Sequence, residues 1–184
     1  MDRVPEYESG YQDPCELLLA HLSELNESAL AQLDWRDFEH HCATVLERNG
    51  YRVTGGLCFR DEDRKYQVDV VGVKANRVLC LDCKAWLTGS GASRSRKAAE
   101  VQRERSARLK AHLAAGASRA GADFTFYPVV VTLKNEGTFL HDGTPVVAFQ
   151  DLNHFLINFE YYEPELTPAG LRTSPRSTGS MTSR

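Results

Sequence analysis

The chain has 184 residues, of which 42% are hydrophobic and 26% are charged, and its net charge at neutral pH is -3. This is an ordinary globular composition, most consistent with one domain, and the charge alone does not indicate a polyanionic partner. No segment approaches the roughly 18 apolar residues of a membrane span, and the acidic N-terminus lacks a secretory signal pattern, so we expect a cytoplasmic protein with no membrane contact.

The predicted elements begin with an N-terminal extension, residues 1–33, that contains a short helix over about 14–25. Asp34 is a good N-cap for a second helix, which Gly50 ends. Three strand-type segments follow: the short YRVTGGLCF segment and the strands over residues 66–73 and 78–84.

A long helix over about residues 94–115 comes next, and two further strand-type segments precede a terminal helix over about 151–159. The element order α-β-β-β-α-β-β-α predicts an α/β or α+β domain, residues 34–160, with a mixed sheet flanked by helices. Residues 161–184 are rich in Pro, Ser, Thr and Gly, so we expect them to form a flexible C-terminal tail.

Three charged residues interrupt the apolar pattern of the two central strands: Asp69, Asp82 and Lys84. If the KANR segment at 74–77 is the hairpin turn, antiparallel pairing places Asp69 opposite Asp82, with both side chains on one face. Lys84 shares this face because side chains alternate with a period of two. A register shift of two residues keeps the three together, whereas a shift of one residue separates them.

Two facing carboxylates repel each other, and burial increases the repulsion. Mg²⁺, for which Mn²⁺ can substitute, would relieve it, because Mg²⁺ takes one or two carboxylates and keeps several waters at roughly 2.0–2.1 Å. We therefore expect Asp69 and Asp82 to bind the metal and Lys84 to orient or activate a water. The simpler interpretation is that Asp82 and Lys84 pair with each other at a solvated strand end.

Glu39 adds a fourth polar residue, from the helix that follows Asp34. It lies at the edge of the apolar stripe of this helix, four residues after Trp35 and three before Cys42. Considered alone, it is best explained as a half-buried, hydrogen-bonded glutamate. Together with the three charged residues of the strands, it completes the tetrad that a metal-dependent nuclease needs.

The segments DFEHHCATVLERNGYRVTGG, YQVDVVGV and VLCLDCKAW resemble the PD-(D/E)xK nuclease superfamily, and are most similar to its Mrr-type restriction endonucleases and archaeal Holliday-junction resolvases. The resemblance covers residues 34–86 and implies a restriction-endonuclease-like fold. It also implies catalytic positions for Asp69, Asp82 and Lys84, and the acidic helix position for Glu39. The chain departs from the superfamily pattern in two places: Pro is absent before Asp69, and Asp82 replaces the commoner Glu or Gln.

These observations favour a metal-dependent DNA endonuclease, either Mrr-like or selective for branched DNA such as Holliday junctions. One such site cuts one strand, so cleavage of double-stranded or junction DNA implies a homodimer. The alternative is a catalytically inactive nuclease-fold module for DNA binding or assembly, against which the complete tetrad argues. The sequence does not separate restriction from recombination or repair, and it leaves RNA open as a substrate.

The long helix that follows the lysine strand is strongly basic. We expect Arg94, Arg96, Lys97 and Arg103 to contact DNA, because cationic side chains neutralise phosphates without regard to sequence. A solvated helix face is the simpler alternative, but the position of the helix next to the proposed site favours DNA contact.

Cys80 and Cys83 form a C-x-x-C motif, which is also found in zinc and redox sites. No second pair of cysteines has the spacing of a zinc site, and two residues three apart on a strand point to opposite faces. We therefore interpret both as core thiols. His40 and His41 directly follow Glu39, and we expect them on the surface, with an accessory phosphate contact as the alternative.

Overall fold

The computed structural model describes residues 35–61, 64–86, 91–115, 124–134 and 139–170. The predicted helix over 14–25 and residues 171–184 of the predicted tail lie outside these ranges. The elements in chain order are α1 (Trp35–Arg48), β1 (Arg52–Asp61), β2 (Arg64–Lys74), β3 (Arg77–Lys84), α2 (Gly91–Ala115), β4 (Thr125–Thr132), β5 (Leu140–His141), β6 (Thr144–Ala148), α3 (Phe149–Ile157), α4 (Phe159–Tyr162) and a 3-10 turn (Glu163–Glu165). Within the described ranges, no helix combines the length and the apolar character needed to cross a membrane.

Among the described residues, six strands form one mixed sheet in the order β1-β2-β3-β4-β6-β5. Strands β1, β2 and β3 are antiparallel neighbours, β4 runs parallel to β3, and β6 runs parallel to β4. The connection from β3 to β4 passes through helix α2, because parallel neighbours require a long crossover. The predicted α/β fold, a mixed sheet flanked by helices, is thereby confirmed.

Hydrophobic clusters cover both faces of the sheet. On one face, Phe38 of α1 packs in the same cluster as Leu79 and Leu81 of β3. On the opposite face, Leu109 of α2 packs with Cys80 of β3. Strand β3 therefore contributes alternate side chains to two cores, which explains its almost continuous apolar sequence.

Helix α1 ends where the sequence predicts. Gly50 adopts φ +81°, a left-handed conformation that costs glycine little. Its N–H donates to the Glu47 carbonyl at 2.9 Å, and the Tyr51 N–H donates to the Leu46 carbonyl at 3.1 Å. These two hydrogen bonds form a Schellman motif, which satisfies carbonyls that the helix end would leave unpaired.

Helix α2 begins at Gly91, three residues before the predicted start. Its buried positions follow one another at intervals of three or four residues and are small or polar except for the last: Ser95, Ala99, Gln102, Ser106 and Leu109. Small side chains allow the helix to lie close to the sheet, and the Gln102 side chain donates to the Cys80 carbonyl at 2.7 Å. This contact sets the rotation of α2 above β3.

Residues 161–170 correct the prediction of a flexible tail that begins at residue 161. Leu166 and Ala169 are buried, and the Ala169 N–H donates to the Phe126 carbonyl at 2.7 Å. The Thr167 N–H donates to the Gly143 carbonyl at 2.9 Å. The polar average composition of the segment gave no indication that Leu166 and Ala169 are buried. Their burial depends on packing beside strand β4, which the local sequence does not show.

Candidate active site

The β2–β3 hairpin has the predicted register, but its ladder ends just before the proposed site. The last backbone pair joins Val70 and Leu81, one step short of the expected Asp69–Asp82 pair. Beyond that point, Asp69 Oδ2 accepts a hydrogen bond from the Cys83 N–H at 2.9 Å. The Asp69 carboxylate therefore caps the end of the ladder instead of facing Asp82 in a regular pair.

The β1–β2 ladder is interrupted at the same level. Gly56, with φ +59°, lies opposite Asp69, and these two residues do not form a backbone pair. Their neighbours on both sides do, as Gly55 with Val70 and Leu57 with Val68. Val68 and Val70 pack into opposite cores, although a regular strand would place both on one face. Strand β2 is thus distorted at Asp69, which frees its side chain to reach across the end of β3.

Asp82 is buried, with only 2% of its surface exposed. Its Oδ2 lies 2.9 Å from Lys84 Nζ, and its Oδ1 accepts a hydrogen bond from Arg105 Nη1 at 2.9 Å. The Asp82–Lys84 pair of the simpler interpretation is therefore present, but in a buried location and not at a solvated strand end. Two cations compensate the charge that burial would otherwise make unfavourable.

Arg105 is the site residue that the sequence analysis missed. It belongs to the basic helix, but the sequence does not assign it to the site, because it lies 23 residues from Asp82 along the chain. Helical spacing could have revealed its position. Intervals of three, four and four residues place four residues on one side of α2: Arg94, Lys97, Val101 and Arg105.

The other two members of the predicted tetrad carry perturbed carboxyl groups. Burial and, to a smaller extent, the Asp69 charge raise the pKa of Glu39 to about 7, although the Lys84 charge lowers it. Burial also raises the pKa of Asp69, while the hydrogen bond from the Cys83 N–H lowers it. The structure thus brings Glu39, Asp69, Asp82 and Lys84 within electrostatic reach of one another.

The predicted DNA-binding residues are divided between two sides of helix α2. Arg94 and Lys97 line a pocket together with Asp82 and Lys84, and with Arg105 they form what we call the site-facing flank.

Arg96 and Arg103, seven residues apart, lie on the opposite side, which we call the far flank. Arg103 donates to the Asp142 carbonyl at 3.3 Å, in the turn between β5 and β6. The structure therefore does not bring Arg96 and Arg103 to the candidate site.

The two aspartates suit a magnesium ion whose remaining ligands are waters and substrate phosphates better than a metal that is held by protein side chains alone. Among the described residues, no group of three or more His, Cys, Asp or Glu side chains could hold an ion. Asp69 and Asp82 offer hard oxygen ligands, and Mg²⁺ needs only one or two of these when waters and substrate phosphates complete its shell. Because both Asp82 oxygens have cationic partners, Lys84 and Arg105 compete with a metal for Asp82.

The C-x-x-C motif does not form a chelating pair. Cys80 is buried in the core beneath α2, whereas Cys83 packs against the cluster beneath α1. Burial raises the pKa of Cys80 to about 12, and a hydrogen bond with Cys42 together with burial raises the pKa of Cys83. Both thiols therefore favour the protonated form, as expected for core residues.

The two histidines beside Glu39 have different environments. His40 is exposed, while the half-buried His41 packs its ring against Phe149 with centroids 6.5 Å apart. The expectation of a surface position thus holds for His40 alone.

Comparison with known proteins places the chain in a family. The family model Mrr_cat, described as restriction endonuclease, matches residues 30–125. An uncharacterized protein of Archaeoglobus fulgidus is 30% identical over 132 residues, which cover 71% of this chain and 95% of that protein.

Two solved structures are similar at low identity. A protein of unknown function, AF1548, aligns with TM-score 0.40 and 17% identity over 54% of this chain and 47% of its own. Protein VC1899 from Vibrio cholerae aligns with TM-score 0.43 and 13% identity over 90% of this chain and 47% of its own. This chain therefore spans about half the length of these two structures.

The segment matched by the family model contains α1, the three antiparallel strands and α2, and with them all four residues of the predicted tetrad. The match covers more than half of the chain, and the protein accordingly belongs to the Mrr-type restriction endonuclease family.

Proposed function

We propose that the protein is a metal-dependent DNA endonuclease that hydrolyses phosphodiester bonds at the end of strand β3. The observation that carries the proposal is the environment of Asp82: a buried carboxylate between Lys84 and Arg105, with Asp69 released from the sheet beside it. A residue that served the fold alone would be more stable as an apolar side chain at this position.

Asp69 and Asp82 are the proposed ligands of Mg²⁺, with Mn²⁺ as a substitute. Bound there, the ion would supply positive charge to the phosphate and lower the pKa of a water. Before substrate binds, Lys84 and Arg105 compensate the Asp82 charge. Both side chains are about one third exposed, so each can turn from Asp82 toward a phosphate oxygen.

Lys84 is the proposed group that orients the attacking water, and it also opposes the negative charge that grows on the phosphate. Arg105 acts on the same charge from helix α2, through a guanidinium that matches the geometry of a phosphate. Glu39, whose pKa is raised to about 7, is suited to exchange a proton with a water near neutral pH.

The proposed substrate is double-stranded or branched DNA. Arg94 and Lys97 of the site-facing flank line the same pocket as Asp82, where they can neutralise phosphates on both sides of the cleaved bond. One site cuts one strand, so we propose that a homodimer makes a double-strand or junction cut.

The test is a cleavage assay on linear duplex, branched and single-stranded DNA and on RNA, each with Mg²⁺, Mn²⁺ or EDTA. We expect metal-dependent cleavage of DNA that is lost in Asp82→Asn and retained in Asp142→Asn, which alters the exposed carboxylate beside Arg103. Cleavage unchanged by Asp82→Asn would remove the mechanism. DNA binding without cleavage in every metal would instead support the inactive module.

A further inference from the structure

A pocket of about 220 Å³ opens beside the candidate active site. Asp82 and Lys84 line one side, and Trp86, Ala98 and Val101 supply apolar surface. The volume is smaller than the roughly 300–1,000 Å³ of pockets that enclose drug-sized ligands. The pocket therefore suits one small ring system better than a whole cofactor.

Trp86 is held in a defined position at this pocket. Its backbone N–H donates to the Lys84 carbonyl at 2.8 Å, so the chain turns directly after the lysine strand. The Arg94 guanidinium carbon lies 5.5 Å from the centre of the indole ring, within the range of a cation–π contact. The half-buried indole is thus fixed two residues from the proposed catalytic lysine.

The pocket combines apolar walls with a basic rim. Val101 is 38% exposed on a helix face that also carries Arg94 and Lys97, and both of these cations line the pocket together with Lys84. A surface that bound only phosphates would gain nothing from an aromatic and aliphatic wall. A nucleotide uses both features, because its base stacks on an aromatic ring while its phosphate pairs with cations.

We propose that the pocket binds one unstacked nucleobase of the DNA strand, next to the phosphate that is cut. This inference rests on the proposed function, because it assumes that DNA is the substrate. A base inside a continuous duplex cannot reach a pocket on the protein without leaving its stack, which costs least where the base is unpaired. The preferred substrate is therefore DNA with an unpaired nucleotide at the cleavage point, such as a flap, a gap or a branch.

The experiment compares two labelled oligonucleotides in EDTA, so that binding is measured without hydrolysis. One is a continuous duplex, and the other is the same duplex with a flap that carries 2-aminopurine at its first unpaired position. Affinity is measured by fluorescence anisotropy, and stacking on Trp86 by quenching of the 2-aminopurine. Trp86→Ala and Trp86→Phe are compared with Tyr161→Ala, which removes an aromatic ring that is 80% exposed and is not part of the pocket.

We expect Trp86→Ala to weaken binding of the flap duplex about 5- to 150-fold, the equivalent of about 1–3 kcal/mol for one stacked base. Binding of the continuous duplex should change less than about twofold, and Trp86→Phe should retain most of the affinity and the quenching because a ring is still present. Equal losses on both duplexes, or no loss with Trp86→Ala, would overturn the proposal.

A second variant protects the test against misfolding of Trp86→Ala. Val101→Glu places a carboxylate at the exposed pocket wall, where it should fold normally and repel the DNA strand, with a larger loss on the flap duplex than on the continuous duplex. Unchanged binding of both duplexes by Val101→Glu would contradict the pocket.

Cleavage is scored separately. Quenching that depends on Trp86 without cleavage in any metal would support the pocket and refute hydrolysis. Cleavage without any effect of Trp86 or Val101 would refute the pocket and leave hydrolysis in place.

Discussion

The two flanks of helix α2 carry similar basic residues but differ in what they face. On the site-facing flank, Arg105 lies 2.9 Å from buried Asp82. On the far flank, Arg103 lies 3.9 Å from Asp142, whose side chain is 63% exposed. Ion pairs gain strength where solvent is excluded, whereas an exposed pair is worth little. Burial of the partner, and not the presence of arginine, therefore distinguishes the two flanks.

The largest expected effect comes from neutralising Asp82, the carboxylate that Arg105 of the site-facing flank contacts. We expect Asp82→Asn to lower the single-turnover cleavage rate at least about 100-fold, because it removes a proposed metal ligand. It should also destabilise the fold by about 1–3 kcal/mol, since Lys84 and Arg105 lose a charged hydrogen-bond partner.

The matched control for that variant is Asp142→Asn. Asn tolerates the φ of +48° at this position, and surface substitutions of this kind stay within about 0.5 kcal/mol. Urea denaturation measures both stabilities, and equal effects of the two substitutions would abolish the distinction between the flanks.

The arginines themselves provide the next comparison. Arg105→Ala should reduce the maximal cleavage rate about tenfold, the effect of losing one charge-assisted hydrogen bond to the phosphate. It should also lower the Mg²⁺ concentration for half-maximal activity, because a competitor for Asp82 is gone. Arg103→Ala should change neither quantity. A magnesium titration of both variants measures the two effects, and a higher magnesium requirement in Arg105→Ala would contradict the proposed competition.

Adjacent residues test the division in DNA binding. Lys97 lines the pocket, whereas Arg96 points to the far flank. Lys97→Ala should weaken duplex binding in EDTA and reduce the slope of log affinity against log salt by about 1, as expected for one lost phosphate contact. Arg96→Ala should leave the slope unchanged. The same loss in both variants would mean that DNA covers both flanks.

The smallest expected effect concerns the opposite side of the sheet, where α1 carries Glu39. Its folded-state pKa of about 7 exceeds the ordinary value of 4.5, so the folded state prefers the protonated carboxyl. Stability is therefore lost as pH rises from about 4.5 to 7. Glu39→Gln should stabilise the metal-free protein by about 1 kcal/mol above pH 7, after allowance for solvent screening, and the gain should vanish in acid.

Urea midpoints at low and high pH measure this difference. Glu47→Gln, on the exposed side of the same helix, is the control and should show no pH-dependent gain. A similar gain at both positions would assign the effect to net charge and not to the environment of Glu39.

Local features of the chain were sufficient to predict the central hairpin. The KANR turn and the period-two alternation specify the register, so the sequence alone assigns Asp69, Asp82 and Lys84 to one end of the hairpin. Gly50 likewise marked the end of α1. The distortion at Asp69 escaped prediction, because it requires Gly56 of the neighbouring strand to adopt a positive φ.

The rotation of helix α2 was the main feature that could not be predicted. Basic residues occur on several sides of this helix, and only the burial of Ala99 and Gln102 against the sheet determines which side faces Asp82. For that reason the sequence does not assign Arg105 to the site, and it does not separate Arg96 and Arg103, which face away from Asp82, from Arg94 and Lys97.

By itself, the sequence determined the fold class, the family resemblance and the four residues of the predicted tetrad. Hydrophobic alternation, turn residues and motif spacing are patterns over short distances along the chain, so they can be read from the sequence. Tertiary structure alone decided that Arg105 joins Lys84 beside Asp82, that Asp69 accepts a hydrogen bond from the Cys83 N–H, and that Trp86 lines a pocket. The physical reason is packing: contacts between residues distant in sequence depend on how helices and strands fit together in three dimensions.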